Sequence, residues 1–130
     1  MKDEGMPTLP AEEAADRVSR LQTGMHRASI DAVFIFQNAD LFYFSGTMQR
    51  GLLAIPSSGD PVYLVNKSIT RAERESAWKR LVALPRMDAI PGILGAEGFG
   101  RFARIGLETD VLPADYYPRT VLLLLTHYLP

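Results

Sequence analysis

Apolar and polar positions follow different rhythms along the chain, and each rhythm predicts an element. From Ala11 the residues Val18, Leu21, Met25 and Ala28 recur three or four positions apart, which lays one apolar stripe along a helix. Glu12, Glu13 and Asp16 stand near its start, where the helix dipole favours negative charge, and Arg27 stands near its end. The run AVFIFQ at 32–37 follows at once. It is apolar on both faces, as a strand covered by helices on two sides requires. The runs LLAIP at 52–56 and PVYLV at 61–65 are separated by the turn formers Ser57, Ser58, Gly59 and Asp60. They predict an antiparallel hairpin with its prolines at the strand ends.

Thr70 and Glu73 have capping-box spacing and predict a helix from Arg71 to about Arg80. Residues 81–85 read as a strand candidate, and 88–102, with four glycines and one proline, as a helix bounded or interrupted by loops. The run IGLE at 105–108 reads as a buried strand, and 113–130 as a turn followed by an apolar helical segment. The first ten residues hold two prolines, a glycine and three charges and read as a flexible tail. The expectation is one α/β domain over 11–130, in three layers. Helices cover both faces of a mixed sheet of five to six strands, mostly parallel with one antiparallel hairpin.

Composition narrows the function classes. At 130 residues, 47% hydrophobic and 22% charged, the chain is long and apolar enough to build a real core. The net charge is −1 and the basic residues are spread along the chain, so no field draws nucleic acid or an anionic membrane. There is no cysteine, which excludes disulfides, thiolate zinc sites and cysteine nucleophiles and fits a cytoplasmic location. The opening MKDEGMPTLP lacks the apolar centre of a signal peptide, and the longest aliphatic run, 121–125, is too short to span a bilayer.

Candidate chemistry is sparse. His26 and His127 stand at opposite ends of the chain without ligand-spaced partners, and both read as helix-surface residues. Glu108 and Asp110 follow a predicted strand, where paired carboxylates can act as acid and base or bind a metal; with no third polar partner nearby, a turn start at Asp110 and a structural ion pair at Glu108 are the preferred reading. Gly95, Gly98 and Gly100 match no phosphate-binding spacing and read as a flexible loop. Ser45 precedes Gly46 but lacks the earlier glycine of a nucleophile elbow. Trp78 is read either as a groove or interdomain contact on the second helix or as core. No active site assembles, and the direct inference is a binding or accessory domain.

An ordered set of segments does resemble a known family. It runs from Arg17, Leu21 and Met25 through Ile30-Asp31-Ala32-Val33 to Asn38-Ala39-Asp40-Leu41-Phe42-Tyr43-Phe44-Ser45-Gly46. It continues through Gly59-Asp60-Pro61, Leu64-Val65, the helix start at Arg71 and Arg74, Ile105-Gly106-Leu107-Glu108, Leu112-Pro113-Ala114 and Tyr116-Tyr117. Over about residues 14–130 this resembles the N-terminal domain of the creatinase, Xaa-Pro aminopeptidase and prolidase family. The resemblance implies a non-catalytic α/β unit with a six-stranded mixed sheet. It also implies a C-terminal catalytic domain, outside this chain, where two divalent ions (Mn, Co or Zn) activate a water against the bond before proline.

By the same resemblance the loop after Gly46 faces the catalytic cleft, often that of a partner subunit in a homodimer. Met48, Gln49 and Arg50 are then the residues expected to face proline-containing peptides, with Arg50 holding a substrate carboxylate or another polar group near the scissile bond. The plain alternative for Arg50 is an ordinary arginine on a solvated turn. Leu41, Phe42 and Phe44 are expected in the core, Tyr43 inside with its hydroxyl bonded to backbone, and Gly46 at positive φ. Two other readings stand beside this one: a stand-alone α/β binding or interaction module, and the same domain of a creatinase-like C–N hydrolase.

Overall fold

The structure, a computed structural model, describes residues 8–99 and 104–107. Helix α1 (Ala11–Ala28) carries Glu12 and Glu13 in its first turn and His26 and Arg27 in its last, matching the dipole at both ends. Ala14, Val18 and Met25 are buried along one side of it, with Leu21 half-buried against the same cluster. Ala28 is exposed, contrary to the stripe read from the sequence. The reason lies in how the helix ends. Ser29 turns left-handed at φ 58, its N–H donates to His26 O, and the Ile30 N–H donates back to Met25 O at 2.8 Å. That double bond pattern folds the chain over the last turn, and Ile30, not Ala28, packs with the Met25 cluster.

Strand β1 (Ala32–Ile35) leads into a second helix, α2 (Asn38–Ser45), which the sequence reading did not assign. Strands β2 (Gly51–Pro56) and β3 (Val62–Val65) form the expected hairpin, with Gly51 opposite Val65 and Ala54 opposite Val62. Helix α3 (Ile69–Glu75), strand β4 (Leu81–Ala83), a single 3-10 turn (Met87–Ala89), helix α4 (Ile90–Ala96) and strand β5 (Ile105–Leu107) complete the described chain. The sheet order is β4-β3-β2-β1-β5. The sheet is mixed, as expected, but its pairings divide evenly: β1–β2 and β2–β3 are antiparallel, β1–β5 and β3–β4 parallel.

The two-residue period of the strands sorts their side chains into two cores. Ala32, Phe34, Leu52, Ala54, Val62 and Leu64 face α4, meeting Ile90, Leu94 and Phe99. Ile35, Leu53, Ile55, Tyr63 and Val65 face the other way, meeting Val18 and Met25 of α1, Leu41 of α2 and Ala72 of α3. Helices therefore cover both faces. Each fully buried large side chain contributes roughly 1.5–3 kcal/mol relative to exposure, which is why the apolar-on-both-sides strands hold the centre.

Two predicted boundaries shift. Helix α3 begins at Ile69 after Ser68 at φ 59, with no side-chain cap, so Thr70 and Glu73 do not form a capping box. It stops at Glu75 rather than near Arg80, because Ser76 is extended and bonds Trp78 through its hydroxyl. The glycines at 95 and 98 close α4. The Gly98 N–H donates to Gly95 O and the Phe99 N–H to Leu94 O, with Gly98 at φ 96 and Phe99 folded back into the core. Residues 108–130, with the turn and apolar helical segment expected over 113–130, lie outside the described residues.

Gly51 is the tightest point of the sheet. A Cβ added there would sit 1.9 Å from the backbone oxygen of Leu64, an atom that cannot yield without parting β2 from β3. Gly51→Ala is expected to lower stability by about 3 kcal/mol or more. Urea unfolding checks this, and a midpoint equal to the parent's would contradict the close approach.

Candidate functional site

The segment around the end of α2 combines the sharpest turn with the most exposed apolar side chains. Leu41 and Ser45 lie four residues apart and are buried, so α2 turns that side inward. Phe42 and Tyr43 consequently face out, 50% and 44% exposed, correcting the expectation that both are inside. The Tyr43 ring lies 4.3 Å from the Arg17 guanidinium carbon instead, and edge-on to Phe44. Phe44 is half-buried against the α1 side of the core. The buried tyrosine with its hydroxyl on backbone is Tyr63, which donates to Gln49 O.

The last four carbonyls of a helix have no partner within it. In α2 each finds a donor from elsewhere. Gly46 N–H reaches Phe42 O at 2.8 Å, and Arg17 Nη1 reaches Tyr43 O at 2.7 Å. Trp78 Nε1 reaches Phe44 O at 2.7 Å, and Ala77 N–H reaches Ser45 O at 2.7 Å. Trp78 thus packs against the α1-side core, as one of its two readings expects, though not from a helix. It sits beyond α3, half-buried, and caps another helix.

Gly46 has φ 89, as expected, and a Cβ there would approach Leu9 Cβ to 3.0 Å and Glu75 O to 3.2 Å. It releases the loop 47–50 ahead of β2. Thr47 is buried, and its hydroxyl donates to Glu75 Oε1 at 2.6 Å. Glu75 Oε2 accepts from Arg71 Nε at 3.0 Å. On the far side of the loop, Asn66 N–H donates to Arg50 O at 2.7 Å. Of the three residues expected to face substrate, Met48 is 53% exposed and Arg50 is exposed, whereas Gln49 is half-buried with its amide turned to Thr47 Oγ1 at 3.4 Å. Phe42, Tyr43 and Met48 are the exposed large hydrophobic side chains among the described residues, and all three belong to this one segment.

The remaining candidates are scattered. His26 is exposed on α1, and its Nε2 donates to Ser57 O at 2.8 Å; with Gln22, which donates to Pro56 O and Gly59 O, it pins the hairpin turn. Ser45 Oγ bonds back to Leu41 O at 2.6 Å, a helix-end contact with no base beside it. His127, Glu108, Asp110 and Gly100 lie outside the described residues. Among the described residues no three of His, Asp and Glu gather where they could hold a metal ion. No described helix is long and apolar enough to cross a membrane.

The family model for the creatinase/prolidase N-terminal domain matches residues 17–123. The chain belongs to that family. No curated protein sequence matches it. Solved structures share this fold: the dipeptidase PepE of Mycobacterium ulcerans superposes with TM-score 0.72 at 18% identity, over 95% of this chain and 35% of that one. The N-terminal domain of the cytoplasmic peptidase PepQ of Mycobacterium tuberculosis H37Rv gives TM-score 0.68 at 18% identity, over 88% of both chains. The creatinase/prolidase N-terminal domain of a Streptococcus pyogenes X-Pro dipeptidase gives 0.70 at 13% identity, over 87% of this chain and 88% of that one. At these identities the likeness establishes the fold alone. The chain spans about a third of the PepE length.

The Glu75 carboxyl in this creatinase/prolidase N-terminal domain is held below its ordinary value of 4.5. The Thr47 hydroxyl is the main cause, partial burial opposes it, and Arg71 and Gln49 add to the lowering. A depressed folded-state pKa contributes stability that is present above about 4.5 and lost as pH falls through the lowered value. Urea midpoints measured from about pH 7 down to about pH 3 should fall less steeply in Glu75→Gln than in the parent. Parallel curves would show that the loop bond does not favour the charged carboxylate.

Proposed function

We propose that the chain is the non-catalytic N-terminal domain of an Xaa-Pro metallopeptidase of the aminopeptidase P or prolidase type. In this reading it helps select substrate at the cleft and contributes to the contacts of a homodimer. Hydrolysis belongs to a following C-terminal domain that holds two divalent ions, Mn, Co or Zn. The observation that carries the reading is the loop 47–50, tied down on both flanks while Met48 and Arg50 point outward.

The chemistry of those two side chains suits a peptide. A guanidinium presents paired donors to a carboxylate in one plane, and a proline dipeptide ends in a carboxylate close to the bond to be cut. The Met48 thioether is flexible and polarizable, fit to lie against varied apolar side chains. Phe42 and Tyr43 extend the apolar surface beside it, as a face covered by another domain or subunit requires. The absence of cysteine suits a cytoplasmic protein.

The purified 130-residue chain is expected to leave an Xaa-Pro dipeptide intact with manganese or cobalt added. Turnover would refute the division of labour. Coding sequence beyond residue 130 that supplies an Asp, Asp, His, Glu, Glu ligand series supports it, and a stop codon there tells against it. In the protein carrying that domain, Arg50→Ala should raise KM for the dipeptide about tenfold or more, the loss of one charge-assisted pair. Unchanged KM and kcat would remove Arg50 from the substrate site.

A further inference from the structure

We propose that Glu75 is the positioning residue of the cleft-facing loop: from the end of α3 it holds Thr47, and through Thr47 it sets how residues 48–50 are displayed. The proposal rests on the cleft reading of that loop.

Glu75 is placed to bridge two elements. Its Oε2 is held within its own helix by Arg71 Nε at 3.0 Å, which aims the carboxylate, and its Oε1 accepts the Thr47 hydroxyl at 2.6 Å. Thr47 is buried, so its hydroxyl has little access to water as a substitute partner. The Gln49 amide completes the arrangement by donating to Thr47 Oγ1 at 3.4 Å, which draws the middle of the loop toward the same carboxylate. The exit of the loop is anchored independently, by Tyr63 OH on Gln49 O and Asn66 N–H on Arg50 O. At the entry the Ser45 hydroxyl accepts from the Thr47 N–H at 3.3 Å and lies 2.9 Å from the Thr47 carbonyl oxygen. Glu75 therefore fixes the Thr47 side chain and the Gln49 amide that follows it, while the exit side depends on β3 and the residue after it.

Linkage supports the assignment. The bond that lowers the Glu75 pKa acts on both partners, so whatever free energy Thr47 gives the charged carboxylate, the carboxylate gives to the loop. Glu75 belongs to neither apolar cluster. Removing its carboxylate thus loosens the loop while leaving the packing of the sheet in place, and this separates a positioning role from a merely structural one.

The test compares Glu75→Ala with Glu75→Gln, which keeps an oxygen to accept the Thr47 hydroxyl. In the 130-residue chain, 15N relaxation should show the backbone order parameter of Met48, the loop residue with no backbone anchor named above, falling from about 0.85 to below about 0.6 in Glu75→Ala. The order parameters of β1, β2 and β3 should hold, and Glu75→Gln should restore the loop. In the protein carrying the catalytic domain, assayed with an Xaa-Pro dipeptide, Glu75→Ala should raise KM about tenfold with kcat within about twofold, and Glu75→Gln should rescue it. The proposal is overturned if the loop stays rigid in Glu75→Ala, or if order is lost equally across the sheet. It is also overturned if Arg50→Ala raises KM and Glu75→Ala does not. If Arg50→Ala and Met48→Ala both leave KM unmoved while Glu75→Ala still loosens the loop, the cleft reading fails and the control of the loop by Glu75 stands.

Discussion

Helix α2 ends at a partly buried junction, and its last four carbonyls must find donors there. A carbonyl buried there without a donor costs about 1–3 kcal/mol, a large share of the roughly 5–15 kcal/mol that holds a domain folded. The donors come from three directions: the chain's own turn at Gly46, Arg17 of α1, and Ala77 and Trp78 beyond α3. Arg17 also brings a positive charge to the negative end of the helix dipole, and its guanidinium stacks on the Tyr43 ring. This one requirement ties α1, α2 and the α3 exit into a single layer over the sheet.

The loop inherits its rigidity from that junction. With Ser45 fixed by Ala77 and Gly46 turning at positive φ, Thr47 is delivered next to Glu75. Four residues later the chain must already be in β2, where Gly51 admits the Leu64 carbonyl at a distance no side chain allows. A short path between two fixed ends leaves little conformational freedom, so little entropy remains to be lost when a ligand meets it.

How much of this was legible follows from the range of the interactions. The α1 stripe, the β2–β3 hairpin and the two-faced β1 are local patterns, and they stand where periodicity put them, apart from Ala28. Helix α2 was hidden because Leu41, Phe42, Tyr43 and Phe44 are consecutive and large, so no stripe distinguishes the inward side from the outward one. Of the capping of α2 only Gly46 left a local trace: Arg17 and Tyr43 are 26 residues apart in sequence, Trp78 and Phe44 are 34 apart. The same holds for the site. Met48 and Arg50 were named through a resemblance, whereas Glu75, which comes 28 residues after its partner Thr47, was not singled out. A carboxylate on a short amphipathic helix reads as a solvated residue until the fold brings a hydroxyl to it.

The contacts that fix the loop also decide what is left to vary in it. Tyr63 and Asn66 hold carbonyl oxygens, which every residue type possesses, and Glu75 holds the side chain of Thr47 alone. None of those three anchors involves the Met48 side chain. A change from Met48 to another residue therefore alters the side chain the loop displays without touching these three anchors. Changes at Thr47, Tyr63 or Glu75 do the reverse: they leave the offered groups intact and move them. Under the proposed reading, a fold that separates the two in this way offers different side chains to a ligand through one frame, which is the physical sense in which a support domain would shape a reaction carried out elsewhere.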